Sequence, residues 1–205
     1  MKLYYATGTC SLASHIILNE IGKPFEVERV NLKTKKTQTG TDYFTISERG
    51  SVPLLQLDNG DTIREGQVIL KYLADQTPES NLAPPHGTMD RIRLDEWLNF
   101  ISTDLHKSFY VFFYDGGDKA KDLYQTKLNR HFAQIEAHFE TNPFIMGDTF
   151  TVADAYLYTM ITWAMNLGMD CVKTPNITAF VERMENRPSV QATLNAEGLK
   201  AKIAA

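Results

Sequence analysis

Cys10 stands where a short apolar strand, Lys2 to Tyr5, gives way to a helical pattern beginning at Ser11. A sulfur at that point faces backbone N–H groups that lack intrahelical partners, and the helix macrodipole adds partial positive charge; both favour a thiolate. An unperturbed thiol is only about 3% ionised at pH 7, and bringing it to half-ionised takes roughly 2 kcal/mol. A helix end supplies about 0.3 to 1 kcal/mol of that. A second donor is therefore expected, and His106 is the candidate. Asn99, Thr103 and His106 are spaced i, i+4, i+7, a polar strip on one helix flanked by Asp104 and Lys107. Taken alone, the cysteine also reads as a small buried residue and the strip as a solvated face.

Two further pairs suit a peptide-like ligand. Pro53 has no N–H and follows Val52 at the start of a strand, so it is an edge residue or holds a cis bond. The Val52 amide and carbonyl are then open to an extended ligand pairing as an added strand. Glu65 precedes Gly66 at the start of a helix, where a bare amide receives a carboxylate and Glu65 accepts from an ammonium, as an amino-acid end requires. Glu65 also reads as a simple complement to the helix dipole.

The elements that must position these groups fall into two patterns. Residues 1 to 76 give strand Lys2 to Tyr5, helix Ser11 to Ile21 stopped by Gly22 and Pro24, and a strand around Glu26 to Leu32, a βαβ unit with parallel strands. A polar loop, Lys33 to Gly40, carries Lys33, Lys35 and Lys36. Strands Leu54 to Leu57 and Thr62 to Arg64 flank the hairpin signal Asn59-Gly60, and helix Gly66 to Asp75 follows. Residues 77 to 88 hold Pro78, Pro84 and Pro85 and read as a linker. Residues 89 to 205 read as all-helical: Met89 to about Tyr114, Lys119 to Glu140, Thr151 to Leu167 and Ile177 to Asn186, broken at Pro143, Pro175 and Pro188. Leu94, Leu98, Ile101, Leu105 and Phe109 form one apolar stripe down the first of these. Thr151 to Asp154 is a capping box that serves folding, His15 fills a core edge, and Cys171 has no helix-start context.

Composition narrows the function classes. A chain of 205 residues, 43% hydrophobic, is long enough for two small domains, each with a core of its own. The net charge of −4 leaves no basic footprint for nucleic acid or anionic membrane, so a small soluble ligand is expected. Two cysteines far apart point to free thiols in a reducing compartment, the cytoplasm. No His pair or Cys-x-x-Cys spacing supports a metal site.

With Cys10 at a helix start, the Ser51-Val52-Pro53 turn, Glu65-Gly66, and Asn99-x-x-x-Thr103-x-x-His106-Lys107 in a helical half, the chain resembles the cytosolic glutathione transferases, most of all the bacterial beta class. The resemblance covers essentially the whole chain. It implies an α/β thioredoxin-like N-terminal domain (βαβ-ββα) at 1–76 that binds glutathione, an all-α helical-bundle C-terminal domain at 89–205 that carries the electrophile pocket, a cis Pro53 and a homodimer. It further implies that Val52 bonds the cysteinyl backbone of glutathione, that Glu65 and Gly66 hold its γ-glutamyl end, and that Lys35 meets its glycyl carboxylate. Asn99 and Thr103 complete the polar wall, in one arrangement from across the dimer interface, and Cys10 and His106 lie at the sulfur as the catalytic pair. Phe109, Tyr110 and Phe113 would receive a hydrophobic electrophile. Gly66 stands where the wider superfamily often has Ser, which leaves only a backbone amide.

The activity implied is conjugation of the glutathione thiol in detoxification, with glutathione as co-substrate and no metal, and with thiol–disulfide exchange through Cys10 as a side activity. Cys10-Ser11-Leu12-Ala13 lacks a second cysteine and limits exchange to one thiol. The alternative is a non-catalytic binding or adaptor protein of the same architecture; loss of Cys10, Lys35 or Glu65 would favour it, and all three are present.

Overall fold

The computed structural model describes residues 1–114 and 116–203. The first half builds β1 (Lys2–Tyr5), α1 (Ser11–Ile21), β2 (Glu26–Asn31), β3 (Lys36–Thr37), β4 (Leu54–Gln56), β5 (Thr62–Arg64) and α2 (Gly66–Asp75). Its sheet runs β3-β2-β1-β4-β5, with β1 parallel to β2 and every other neighbour antiparallel. Alternation along β1 sends Leu3 and Tyr5 to the face covered by α1 and α2 and Tyr4 to the opposite face, where it packs with Val30, Tyr43, Val52 and Leu54. This is a thioredoxin-like α/β unit with a mixed sheet. β3 falls inside the stretch expected to be loop; two residues are too few to show a period of two.

The second half is helical: α3 (Met89–Phe100), α4 (Tyr110–Phe113), α5 (Asp118–His138), α6 (Val152–Asn166), α7 (Pro175–Glu185) and α8 (Pro188–Glu197). The single helix expected from Met89 to Tyr114 is instead interrupted. A π turn, Ile101–Leu105, and a 3₁₀ turn, His106–Phe109, separate α3 from α4. Pro175 and Pro188, expected as breaks, each open a helix, because at a first turn proline's missing N–H has no partner to lose.

The two halves do not keep separate cores. One buried cluster runs from Leu3, Leu12 and Ile16 through Leu98, Phe132 and Tyr158 to Leu194. The cause is α1, which is buried from Ser11 to Leu18 because it packs on the sheet side against α2 and on the other against α6 and α8. The proline-rich connection is docked rather than loose: Leu82 is buried, its carbonyl accepts from the Val152 N–H at 3.0 Å, and Arg91 grips Asp75 across it at 2.8 and 3.0 Å. Thr151 and Asp154 form the expected capping box at the start of α6.

Candidate active site

Cys10 is the residue just before α1, at φ −58° and ψ −18°, and its Sγ donates to the Val52 carbonyl at 3.3 Å. The preceding turn is fixed from several sides. Gly8, at φ +67°, accepts from Trp163 Nε1 at 2.8 Å and donates its N–H to Glu197 at 2.8 Å, while the Ser11 hydroxyl bridges the Ala6 backbone. His15 is buried and hydrogen-bonded to Glu197 at 2.9 Å, in keeping with a core-edge role.

Burial pushes the Cys10 thiol up to about 11. The N–H groups of Cys10 and Ser11 and the charge of Lys107 pull the other way, so the helix-start effect is present but outweighed. The expectation of a thiolate in the free protein is therefore corrected: the sulfur carries its proton and uses it on Val52.

His106 reaches the same cleft by way of the π turn. A π turn holds about one more residue than an α turn, so the residues beyond it are rotated by roughly 100° relative to a continuous helix. That rotation separates residues the sequence places on one strip. His106 turns inward, whereas Asn99 and Thr103 stay exposed, Thr103 donating to the Asn99 carbonyl and to Asp104, each at 2.9 Å. Burial, aided by Lys107, lowers His106 to about 4, so the imidazole is neutral at pH 7. Its Nδ1 lies 2.7 Å from the Tyr156 hydroxyl and its ring meets Trp163 edge-on at 5.1 Å. His106 and Cys10 line one cleft without a hydrogen bond between them, so the direct pairing expected from sequence is absent.

The cleft has a volume of about 520 Å³, within the usual range for small-molecule sites. Its floor on the sheet side carries the polar groups of Thr9, Cys10, Lys35, Arg49 and Ser51 and the Val52 backbone, beside Leu32. Its helical side is apolar and aromatic, with Tyr110, Phe113, Tyr114 and Trp163. Lys35, at φ +54°, donates Nζ to the Gly50 carbonyl at 2.7 Å. Gly50 has φ +56°, which favours glycine, and a Cβ there would sit 2.8 Å from the exposed Phe44 ring and need that ring to move. The Val52–Pro53 peptide is cis, and the Val52 N–H has no acceptor among the described residues.

Besides the exposed Asn99 and Thr103, three expected members stand off the lining. Glu65, at φ +69°, lies behind Arg49, which donates to it at 2.7 Å. Gly66 opens α2 with its N–H unused within the described residues. Phe109 is fully buried, stacked on Phe113 and edge-on to Trp163, so it supports the aromatic wall from the core instead of facing a ligand. Trp163, Arg49 and Tyr156 are not legible in the sequence as site residues. Trp163 and Tyr156 sit in an apolar helix whose pattern reads as core; their polar atoms are the signal, because a buried indole N–H or phenol needs a partner. Cys171 lines a separate, larger cleft of about 640 Å³ with Phe112, Gln125 and Asn129.

A thioredoxin-like sheet with a cysteine heading its first helix, closed by a helical half that supplies an imidazole and an aromatic wall, defines a protein that handles thiol ligands. Residues 7–76 match the family model for the glutathione S-transferase N-terminal domain, and residues 103–197 that for the glutathione S-transferase C-terminal domain. Glutathione S-transferase GstA of Escherichia coli O157:H7 is 41% identical over 98% of this chain and all of its own length. A beta-class glutathione S-transferase of Sphingomonas chungbukensis superposes with TM-score 0.93 at 41% identity, covering 98% of this chain and 100% of that one. A sphingomonad glutathione S-transferase complexed with glutathione gives TM-score 0.93 at 40% identity with the same coverage. The chain belongs to the glutathione S-transferase family, in its bacterial beta class, and is an enzyme of that family.

Proposed function

We propose that this transferase joins the glutathione sulfur to hydrophobic electrophiles and that Cys10 serves chiefly as a hydrogen-bond donor. The observation that carries this reading is the Cys10 thiol, 3.3 Å from the Val52 carbonyl, at the boundary between the polar and aromatic walls of one cleft. Glutathione lies along the polar side, with its cysteinyl backbone on Val52, its glycyl carboxylate near Lys35, and its γ-glutamyl end at Glu65 and the Gly66 N–H. Its thiol gives a proton to solvent. The thiolate accepts from Cys10, whose S–H turns away from the Val52 carbonyl, and from His106. It then attacks the electrophilic carbon held by Tyr110 and Phe113, and the leaving group departs with its bonding electrons. Neutral donors suit this task, since they stabilise the anion without becoming nucleophiles themselves.

Exchange through Cys10 remains a minor activity. At a pKa near 11 about one thiol in 10⁴ is ionised at pH 7, roughly three-hundredfold fewer than for an unperturbed thiol. Detoxification in the cytoplasm fits an enzyme that consumes reduced glutathione and carries two free cysteines. Side-by-side rates test the division of labour. Cys10→Ala should slow conjugation of an aryl halide by about tenfold, the worth of one hydrogen bond, while abolishing reduction of a small disulfide. Conjugation abolished together with exchange would make Cys10 the nucleophile in both.

A further inference from the structure

We infer that Tyr156 is a positioning residue that fixes the tautomer of His106, leaving the proton on Nε2, where it can be donated to the sulfur of bound glutathione. The inference rests on the reading above that His106 acts at that sulfur. Tyr156 is buried in α6, and its hydroxyl lies 2.7 Å from His106 Nδ1. A buried phenol must place its proton on an acceptor. A neutral imidazole offers a single bare nitrogen, so a Tyr156 O–H aimed at Nδ1 puts the ring proton on Nε2.

Ser102 lies beside this pair. Its hydroxyl is the other polar group near the Tyr156 oxygen, whose close hydrogen-bond contact is His106 Nδ1 at 2.7 Å. Ser102 belongs to the π turn that aims His106 inward. The ring is held in place by the edge-on contacts with Trp163 at 5.1 Å and Tyr156 at 5.9 Å. Nε2 has no hydrogen bond among the described residues, which leaves its proton for a ligand.

Nitrogen-15 NMR of histidine-labelled protein at pH 7 tests the assignment, with His106→Ala used to identify the signals. Nε2 should be protonated and Nδ1 bare in the parent protein. Tyr156→Phe, which keeps the packing, should give a mixture of tautomers. The kcat for aryl-halide conjugation should fall about tenfold, with the KM for glutathione changed less than about twofold. A protonated Nδ1 in the parent, or Tyr156→Phe leaving both the tautomer and kcat unchanged, overturns the proposal. If His106→Ala conjugates at the parental rate, the role of His106 at the sulfur fails instead, whatever the tautomer proves to be.

Discussion

Cys10 shows how two forces on one atom compete. The N–H groups at the start of α1 and the charge of Lys107 stabilise a thiolate, burial opposes it, and burial wins. The sequence displays the first force, because the position of a cysteine before a helix is written in the strand-to-helix change of pattern. It does not display the second, which depends on how deeply the cleft wall encloses the sulfur. The same holds for His106, where desolvation lowers the imidazole to about 4 and makes it a neutral donor rather than a cation beside Cys10. Residue types at Cys10, Lys35, Val52 and His106 are legible as chemistry; their protonation states and mutual geometry are not.

At the scale of elements, helical spacing is a sound guide until the backbone changes its pitch. The apolar stripe Leu94, Leu98, Ile101, Leu105 and Phe109 is fully buried, so the period is real. The π turn nonetheless redirects the polar strip, and no residue type marks it in the sequence. The start of α2 is a place where local chemistry can be altered without disturbing the fold. A Cβ at Gly66 would meet only the Pro53 ring, at 3.9 Å, an ordinary contact, and Gly66 does not have positive φ. Gly66→Ser adds a hydroxyl beside an unused N–H and should tighten glutathione binding by about two- to tenfold in calorimetry. Unchanged or weaker binding would place the γ-glutamyl end elsewhere.

Across the whole molecule, the order of α/β and helical halves is readable from the switch in period near residue 89. Their fusion through α1 is not, because a helix with apolar and small residues all round does not reveal what lies on each side. Val68 on α2 and Met89 and Ile92 on α3 are exposed apolar residues, and Lys71 and Asp95, one turn on, join the two helices at 3.3 Å. We propose that this face pairs two copies, with Asn99 near the end of α3 and Thr103 in the π turn beyond it reaching toward the partner's cleft. Sedimentation should give a dimer that Val68→Glu and Ile92→Glu together dissociate; a dimer that survives both would place the interface elsewhere.

The protonated state of the Cys10 sulfur is the claim on which the catalytic account turns, and the pH dependence of its alkylation measures it directly. With Cys171→Ser removing the second thiol, the rate with a small alkylating reagent should climb with a midpoint near 11, and His106→Ala should leave that midpoint in place. A rate already on its plateau near pH 7 to 8 would show a thiolate in the resting enzyme and contradict the account.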